Sequence, residues 1–385
     1  MCRFRILKYP KIPIILIYTY LHYQIALALL RGIGPRKTRT LMDHIDSLEV
    51  LFTESASSLS KLTGLKPQFF HELQREEALK IADKTIAFHQ KTNVQSLFYS
   101  DSKFPRRLNQ CIDAPTQLFF KGNINLNNAR FVAIVGTRAA TEYGREICRN
   151  LIASFEGRNI VVVSGLALGI DSYVHRYCVE FGIPTIGVLG HGLDRIYPSK
   201  NNNLASKMVD SGGLLTEFIP GTNPDRENFP KRNRIVAGLC DATIVVESKL
   251  KGGSLITAQI ANSYNRDVFA FPGPIYTETS QGCNALIAAS KSHLLENPTE
   301  FLAAMQWDSS SVSSKEHQFE CFPELSDAQQ EIAEELNRSP KIELDVLAAR
   351  LALPVSLLQV ELLQLKLSGI VEEIAGKRFQ LLRAN

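Results

Sequence analysis

Residues 131–138, FVAIVGTR, place a run of apolar residues directly before a glycine, and the same pattern recurs further along the chain. The runs that share this apolar, β-branched character are Phe131–Val135, Ile160–Val163, Thr185–Leu189, Ala242–Val246 and Val268–Phe271. Nearly continuous apolar runs are typical of strands that are buried on both faces of a parallel sheet. Because helical patterns separate these runs, the sequence predicts an α/β domain with a Rossmann-like, doubly wound, mostly parallel sheet.

The ends of the predicted strands are followed by four segments suited to anion binding. They are residues 135–138 (VGTR), 164–171 (SGLALGID), 226–234 (RENFPKRNR) and 252–254 (GGS). Ligands of doubly wound sheets bind beyond the carboxyl ends of the strands. Glycines at such turns expose backbone N–H groups, and arginine donates paired hydrogen bonds to phosphate. We therefore expect these segments to share one phosphate-binding site.

The segment Arg226–Arg234 carries the most information, because it places four cations and an aromatic ring within nine residues. Lysine and arginine neutralise phosphates, and the flat ring of Phe229 offers an unpaired base a surface on which to stack. A solvated basic helix start with Phe229 in the core fits the composition equally well. The segment alone leaves both interpretations open.

Signatures of cofactor enzymes are missing from the sequence. The spacing from Gly165 to Gly169 does not fit the dinucleotide fingerprint, and no P-loop motif occurs. Asp171 and His175 share one helix face, but without a third ligand they are more typical of a helix start and a packed histidine. Seven cysteines without a CxxC pair favour a reducing compartment. A net charge of +4 permits a polyanionic partner without demanding one.

Before the sheet, residues 25–45 have the pattern of a helix–hairpin–helix, with Gly32-Ile33-Gly34-Pro35 between two helices and Arg36, Lys37 and Arg39 alongside. Such glycines let backbone N–H groups approach a DNA phosphate. A tight turn in a small helical bundle is the alternative.

The basic and apolar residues at the start of the chain also resemble a signal peptide ending near Ala28. Cleavage there would sever the first predicted helix, so we expect a cytoplasmic protein.

After the sheet, a serine-rich linker precedes three helical patterns and a hairpin, which is the order of elements in a winged helix. The third helix, Val355–Leu367, has Lys366 as its single basic residue, so duplex DNA binding is not favoured over a structural or protein-binding role. The predicted divisions are 1–20 (an extension, a candidate non-native segment), 21–95 (helical, helix–hairpin–helix or SAM-like), 96–305 (Rossmann-like), 306–321 (linker) and 322–385 (winged helix).

Taken together, these segments resemble the DprA/Smf family of DNA-processing proteins, which acts in natural transformation. The matching stretches, in chain order, are VGTR (135–138), SGLALGID (164–171), LGHGLDRIYP (189–198), NFPKRNRIVAGL (228–239), VVES (245–248), GGSLITAQIA (252–261), VFAFPGP (268–274) and GCNALIAA (282–289). The match covers the central part of the chain in order, and it departs at Thr137, where serine is frequent in the family. The flanking modules are also similar to accessory domains of that family.

The resemblance implies a binding protein without catalytic turnover, cofactor or metal. Such proteins bind and protect incoming single-stranded DNA, load RecA in place of single-strand-binding protein, and form homodimers through the Rossmann-like domain. It places the DNA against Gly136, Arg138, Ser164, Gly165, Lys200, Arg226, Phe229, Lys231, Arg232, Gly252, Gly253 and Ser254. Lys200 is the looser match of this set.

Two other functions are also compatible with the sequence. One is a nucleotide phosphoribohydrolase similar to the LOG family, which has a glycine-pair turn in a Rossmann-like fold and would need a catalytic acid such as Glu247. Glu217 is another carboxylate that follows a strand. The other function is a regulator that binds duplex DNA through the winged helix.

Overall fold

The five strands predicted from the sequence lie in one nine-stranded sheet of the computed structural model, which describes residues 14–307, 326–339, 341–368, 370–374 and 378–381. The strands of this sheet are β1 (Gln95–Phe98), β2 (Gln117–Gly122), β3 (Arg130–Val135), β4 (Ile160–Ser164), β5 (Thr185–Val188), β6 (Gly213–Thr216), β7 (Ala242–Val245), β8 (Asp267–Ala270) and β9 (His293–Leu294). In space they follow the order β1-β2-β6-β5-β4-β3-β7-β8-β9. The strand β2 is antiparallel to both of its neighbours, and all other pairs are parallel, which confirms the predicted mostly parallel α/β sheet.

Helices precede the sheet and cover both of its faces. They are α1 (Ile14–Leu29), α2 (Pro35–Met42), α3 (Leu48–Thr53), α4 (Ala56–Thr63), α5 (Pro67–His71), α6 (Arg75–Thr92), α7 (Arg106–Asn109), α8 (Glu142–Ala153), α9 (Ile170–Glu180), α10 (Asn202–Ser211), α11 (Asn228–Leu239), α12 (Gly253–Ser263), α13 (Gln281–Ala288) and α14 (Pro298–Ala304). Successive side chains of a strand point to opposite faces. Accordingly, Val132 and Ile134 of β3 pack with α8 and α9, whereas Phe131 and Ala133 pack with α11 and α12.

The strand order reverses at β3, and this reversal positions the site. From β3 the chain adds β4, β5 and β6 on one side, then returns to add β7, β8 and β9 on the other. The crossovers on the two sides of β3 diverge, so a crevice opens beyond the carboxyl ends of β3 and β7. Residues 136–138 follow β3, residues 249 and 251–254 come after β7, and both groups line the crevice.

The helices α1 to α6 form a core that continues onto the first two strands. Ile25, Ala26 and Leu27 of α1 are fully buried and share this core with Phe98 of β1 and Phe119 of β2. The turn between α1 and α2 contains Gly32 with φ +85°, a conformation that glycine adopts without strain. These helices and the nine-stranded sheet belong to one compact unit, residues 1–309. Residues 310–385 form a second unit.

The second unit has its own small core around Leu347, Leu358 and Leu362. Its elements are α15 (Asp327–Arg338), β10 (Ile342–Glu343), α16 (Leu344–Leu351), α17 (Val355–Leu367), β11 (Val371–Ile374) and β12 (Arg378–Leu381). The strands form an antiparallel sheet in the order β10-β12-β11. Most of the predicted linker 306–321, and the hairpin turn at 375–377, lie outside the described residues.

Within the described ranges, no single helix is both long and apolar enough to cross a membrane. The helices Leu344–Leu351 and Val355–Lys366, which are bent by 109° relative to each other, reach that length and apolar content only when they are counted together.

Candidate functional site

A cleft of about 570 Å³ lies beyond the carboxyl ends of β3, β4 and β7, where the strand order reverses. Its walls come from the turns after β3 and β4 and from the first turns of α11 and α12. Nine of the residues predicted from the sequence line this cleft: Gly136, Arg138, Gly165, Arg226, Phe229, Arg232, Gly252, Gly253 and Ser254. The fold therefore brings together segments that are far apart along the chain.

An arginine and an aromatic ring lie in contact within this cleft. The guanidinium carbon of Arg138 lies 5.7 Å from the centroid of the Phe229 ring, within the range of a cation–π contact. Phe229 is half-buried because one edge of its ring packs against Gly190. The ring of Tyr197, which is half-exposed, lies 6.3 Å from that of Phe229. Phe229 is thus a wall of the cleft rather than a core side chain.

The floor of the cleft holds a buried cation. Arg232 is 5% exposed and donates a hydrogen bond to the carbonyl oxygen of Val188. Its guanidinium lies directly against Gly165, where an added Cβ would approach Nη1 to 2.2 Å. Burial lowers the pKa of Arg232, an effect that the carboxylate of Asp171 opposes. A buried guanidinium in a medium of low dielectric exerts a stronger field on an approaching anion than a solvated one does.

Asp171 offsets part of this charge and shapes the turn after β4. Its carboxylate accepts hydrogen bonds from the backbone N–H of Gly165 at 3.1 Å and of Ala167 at 3.3 Å. Burial raises the pKa of Asp171, while Arg232 and these N–H groups act in the opposite direction. The helix α9 starts at the residue before it, so this carboxylate also occupies the position where a negative charge favours a helix.

The start of α12 supplies backbone donors. Gly252 is the residue before this helix, and its N–H donates to the carbonyl oxygen of Lys249 at 2.9 Å. The Ser254 hydroxyl donates to Ser248 Oγ at 2.8 Å, so this hydroxyl has an internal partner. Gly253 is exposed, and an added Cβ there would meet nothing within 4 Å. The first N–H groups of a helix lack intrahelical acceptors, and this end of α12 therefore favours an anion.

Three of the predicted residues lie elsewhere. Ser164 is fully buried, and its hydroxyl donates to the carbonyl oxygen of Ile134 at 2.6 Å, so it joins β4 to β3 beneath the cleft. Lys231 is exposed on α11 and is not among the residues that line the cleft. Lys200 lines a separate concavity between α9 and α10.

The cleft also contains residues that sequence reasoning did not select. Lys249 and Lys251 line it beside the glycine pair, and Tyr197 and Asn233 complete its walls. The available signal was that both lysines lie within the three residues before Gly252, in the same strand-to-helix turn. Tyr197 lay within a matching stretch, but nothing in that stretch indicated that its ring would face Phe229.

The charge of the cleft is strongly positive. Its exposed cations are Arg138, Arg226, Lys249 and Lys251, whereas the carboxylate among its lining residues is the buried Asp171. Lys249 has a partner in Glu278, at 2.7 Å. Within the described part of the chain, the other three exposed cations form no ion pair. Clefts lined by charge of one sign raise the local concentration of ligands of the opposite sign.

The candidate catalytic carboxylates are occupied by structural hydrogen bonds. Glu247 is 2% exposed and accepts from the backbone N–H and hydroxyl of Thr141, at 2.9 and 2.7 Å, and from the Thr279 hydroxyl at 3.0 Å. It holds the start of α8 and does not line the cleft. Glu217 forms a mostly buried ion pair with Arg234.

The pair Asp171 and His175 is not an acid–base dyad. His175 is fully buried, with its Nδ1 2.7 Å from Thr185 Oγ1. Burial, together with the positive charge of Arg232, lowers its pKa to about 3. Among the described residues, no group of three or more histidine, cysteine, aspartate or glutamate side chains is placed to hold a metal ion.

The described cysteines are buried and unpaired: Cys111, Cys148, Cys178, Cys240 and Cys283. Burial raises the pKa of each thiol. Thiols of this kind are poor nucleophiles and pack as small apolar groups.

These features define a Rossmann-like protein with a basic, aromatic-walled cleft at the switch point of its sheet. The chain belongs to the family of DNA recombination-mediator protein A, whose family model matches residues 95–306. Protein Smf of Escherichia coli is 33% identical over 320 residues, which cover 80% of this chain and 85% of that protein.

Two solved structures of related proteins match the fold. DNA processing protein A (DprA) of Streptococcus pneumoniae superposes with a TM-score of 0.62 at 33% identity, covering 74% of this chain and 96% of that one. DNA processing protein A of Helicobacter pylori superposes with a TM-score of 0.51 at 28% identity, covering 56% and 96%. The study of the latter concerns its single-stranded DNA binding mode.

Proposed function

We propose that the cleft binds single-stranded DNA without sequence preference. The observation that carries this proposal is that Arg138 lies over Phe229 in a cleft that the start of α12 also lines. Cations and helix N–H groups bind phosphates, and an aromatic ring stacks on a base of any identity. A duplex has no unpaired base to offer such a ring, so the combination favours a single strand.

The predicted residues take distinct roles in this proposal. Arg138, Arg226 and the first turn of α12 contact phosphates, and Phe229 stacks on a base. Gly136 and Gly165 allow the two strand-end turns to pack closely within the protein, since a Cβ on Gly136 would lie 2.5 Å from Ile170 Cγ1 and a Cβ on Gly165 would press on Arg232. Arg232 attracts the phosphates from the floor of the cleft through its buried positive charge. Ser164 supports the site by joining two strands beneath it. Lys231 and Lys200 add positive charge outside the cleft. The turn into α12 is formed by Gly252, Gly253 and Ser254.

We further propose that the chain acts as a recombination mediator in the cytoplasm rather than as an enzyme. It would protect incoming single strands during natural transformation and load RecA in place of single-strand-binding protein, working as a homodimer through its Rossmann-like domain. Membership of the recombination-mediator family and the 33% identity to S. pneumoniae DprA support this role. The buried, fully bonded state of Glu247 gives no support to the phosphoribohydrolase alternative.

The flanking regions fit accessory roles in this proposal. Residues 21–95 would be a helix–hairpin–helix or SAM-like domain, joined to the Rossmann-like domain at 96–305. In the predicted hairpin, Arg36 and Lys37 are exposed, whereas Arg39 is bonded to Asn109 Oδ1 at 2.9 Å. Residues 322–385, after the linker 306–321, would be a winged helix. Its third helix, α17, exposes Val360 and Leu363, which suits a protein contact better than a phosphate contact.

The proposal is tested by fluorescence anisotropy with labelled oligonucleotides on the full chain. We expect tight binding to single strands of several sequences, weaker binding to duplex, and a linear fall of log affinity with log salt concentration. A second readout is the assembly of RecA filaments on strands coated with single-strand-binding protein. Equal affinity for single strand and duplex would reject the stacking site, and unchanged RecA assembly would reject the mediator role alone.

A further inference from the structure

A second concavity, of about 440 Å³, lies between α9 and α10, and we call it the α9–α10 groove. Three exposed cations line it: Arg176, Lys200 and Lys207. Within the described ranges, none of the three forms an ion pair. The carboxylate among the lining residues, Glu180, lies 3.9 Å from Arg149, which is not a lining residue. The groove therefore presents three cations against one carboxylate, so its net charge is positive.

Two connections place this groove next to the cleft. Tyr197 lines the cleft and Lys200 lines the groove, so the two sites lie within three peptide units, a distance of at most about 11 Å. The helix α9 gives the second connection, because Asp171 in its first turn lines the cleft and Arg176 lines the groove. Five residues of helix advance about 7.5 Å and turn about 140°, so the groove lies around the side of α9 from the cleft. Both distances are short compared with a bound single strand of several nucleotides.

The groove is also partly ordered for binding. The guanidinium carbon of Arg176 lies 5.5 Å from the centroid of the Tyr173 ring. A cation held over an aromatic face loses less side-chain freedom when it binds a ligand than a free one does. Three unpaired cations around one concavity repel each other, and several negative charges in a row relieve that repulsion. A chain of phosphates meets this requirement.

We propose that a single strand leaving the cleft past Tyr197 continues into the α9–α10 groove, where Arg176, Lys200 and Lys207 neutralise its backbone phosphates. This inference rests on the proposed function of the cleft. It also gives Lys200 a role, since this residue lies away from the cleft itself. The groove would lengthen the binding site without adding base contacts, so its contribution would depend on oligonucleotide length and not on sequence.

The test compares a short and a long labelled oligonucleotide, dT6 and dT20, on the full-length protein by anisotropy. The variant Arg176→Ala/Lys207→Ala removes two groove cations. Lys84→Ala/Lys91→Ala removes two exposed cations from α6 and is the matched control. Arg138→Ala reports separately on the cleft. Thermal melting of each variant shows whether the fold is retained.

We expect the groove variant to weaken dT20 binding about fivefold to tenfold and to lower the salt slope by about 1.4, at about 0.7 for each lost phosphate contact. Binding of dT6 should stay within about twofold, as should both oligonucleotides with the control variant. Equal effects on dT6 and dT20, or no effect on dT20, would overturn the groove proposal. If Arg138→Ala leaves dT6 binding unchanged, the proposed cleft fails instead, so the two failures are distinguishable.

Discussion

Arg138, from the turn after β3, lies with its guanidinium carbon 5.7 Å from the ring centroid of Phe229, from the first turn of α11. The two residues are 91 positions apart in sequence (229 − 138). They meet because the reversal of strand order at β3 opens one crevice to both segments. A phosphate and an adjacent base of one strand match this combination of cation and ring.

Phe229→Ala should weaken single-strand binding by about 5-fold to 150-fold, which corresponds to about 1–3 kcal/mol for a lost stacking contact. Phe229→Tyr should retain most of the affinity because it keeps the ring. The measurement is anisotropy with labelled dT20. Tyr276→Ala is the control, since Tyr276 is 93% exposed and does not line the cleft. If Phe229→Ala binds as well as Phe229→Tyr, no base stacks on this ring.

Gly165→Ala should destabilise the first unit by about 1–3 kcal/mol, because its Cβ would press on the buried guanidinium of Arg232 at 2.2 Å. Gly253→Ala is the matched control, since a Cβ there meets nothing within 4 Å. Urea unfolding followed by the fluorescence of Trp307 reports on this unit, because Trp307 is the single tryptophan and is buried in its core. Equal stability of the two variants would contradict the position of Arg232.

Glu247→Gln should lower the free energy of unfolding by about 1–3 kcal/mol, because the amide nitrogen cannot accept the hydrogen bonds that the carboxylate oxygens receive from Thr141 and Thr279. Urea unfolding measures this, with Glu142→Gln as the control at a side chain that is 83% exposed. Wild-type protein should release no base from nucleoside monophosphates. Sustained release that Glu247→Gln abolishes would establish the hydrolase instead.

Acid should destabilise the first unit in part through His175. Burial lowers the pKa of His175 to about 3, whereas its ordinary value is 6.5, so the unfolded chain takes up a proton that the folded one excludes. The stabilisation is complete above pH 6.5 and declines as the pH falls towards 3. This histidine accounts for about 2 kcal/mol between pH 6.5 and 5.

The test measures unfolding free energy by Trp307 fluorescence at pH 7, 6 and 5. The variant His175→Gln should be less stable than wild type at pH 7, since it disturbs a packed site, but it should lose about 2 kcal/mol less between pH 7 and 5. Parallel pH profiles for His175→Gln and wild type would show that His175 is not excluded from protonation.

Much of the sheet followed from the sequence because strands buried on both faces leave a continuous apolar signal. The run Phe131–Val135 differs from β3 by one residue, and Ala242–Val246 differs from β7 by one. The strands β1, β2, β6 and β9 were not among the predicted runs. At the two edges of the sheet, β1 (Gln95–Phe98) mixes polar with apolar residues, and β9 (His293–Leu294) is short and exposed. Pairing with neighbours, not local composition, makes these segments strands.

The sequence predicts which backbone turns form the site better than it predicts which side chains line it. Glycines such as Gly136 and Gly165 indicate turns at the ends of strands. Because the carboxyl ends of parallel strands meet at one edge of the sheet, these turns are expected to lie together. Side-chain direction was not available from the sequence, so Ser164 and Lys200 were assigned to a cleft that neither lines. Lys249 and Lys251 were overlooked because their contribution depends on how α12 begins.

The affinity of Arg138→Ala for labelled dT20, measured across salt concentrations beside wild type, tests the central claim most directly. Arg138 is exposed and forms no ion pair within the described residues, so its removal should leave the fold intact. We predict a loss of about tenfold or more in affinity and a salt slope lower by about 0.7, the value for one lost phosphate contact. Lys91→Ala should change neither quantity. Wild-type affinity and slope in Arg138→Ala would contradict the assignment of this cleft to single-stranded DNA.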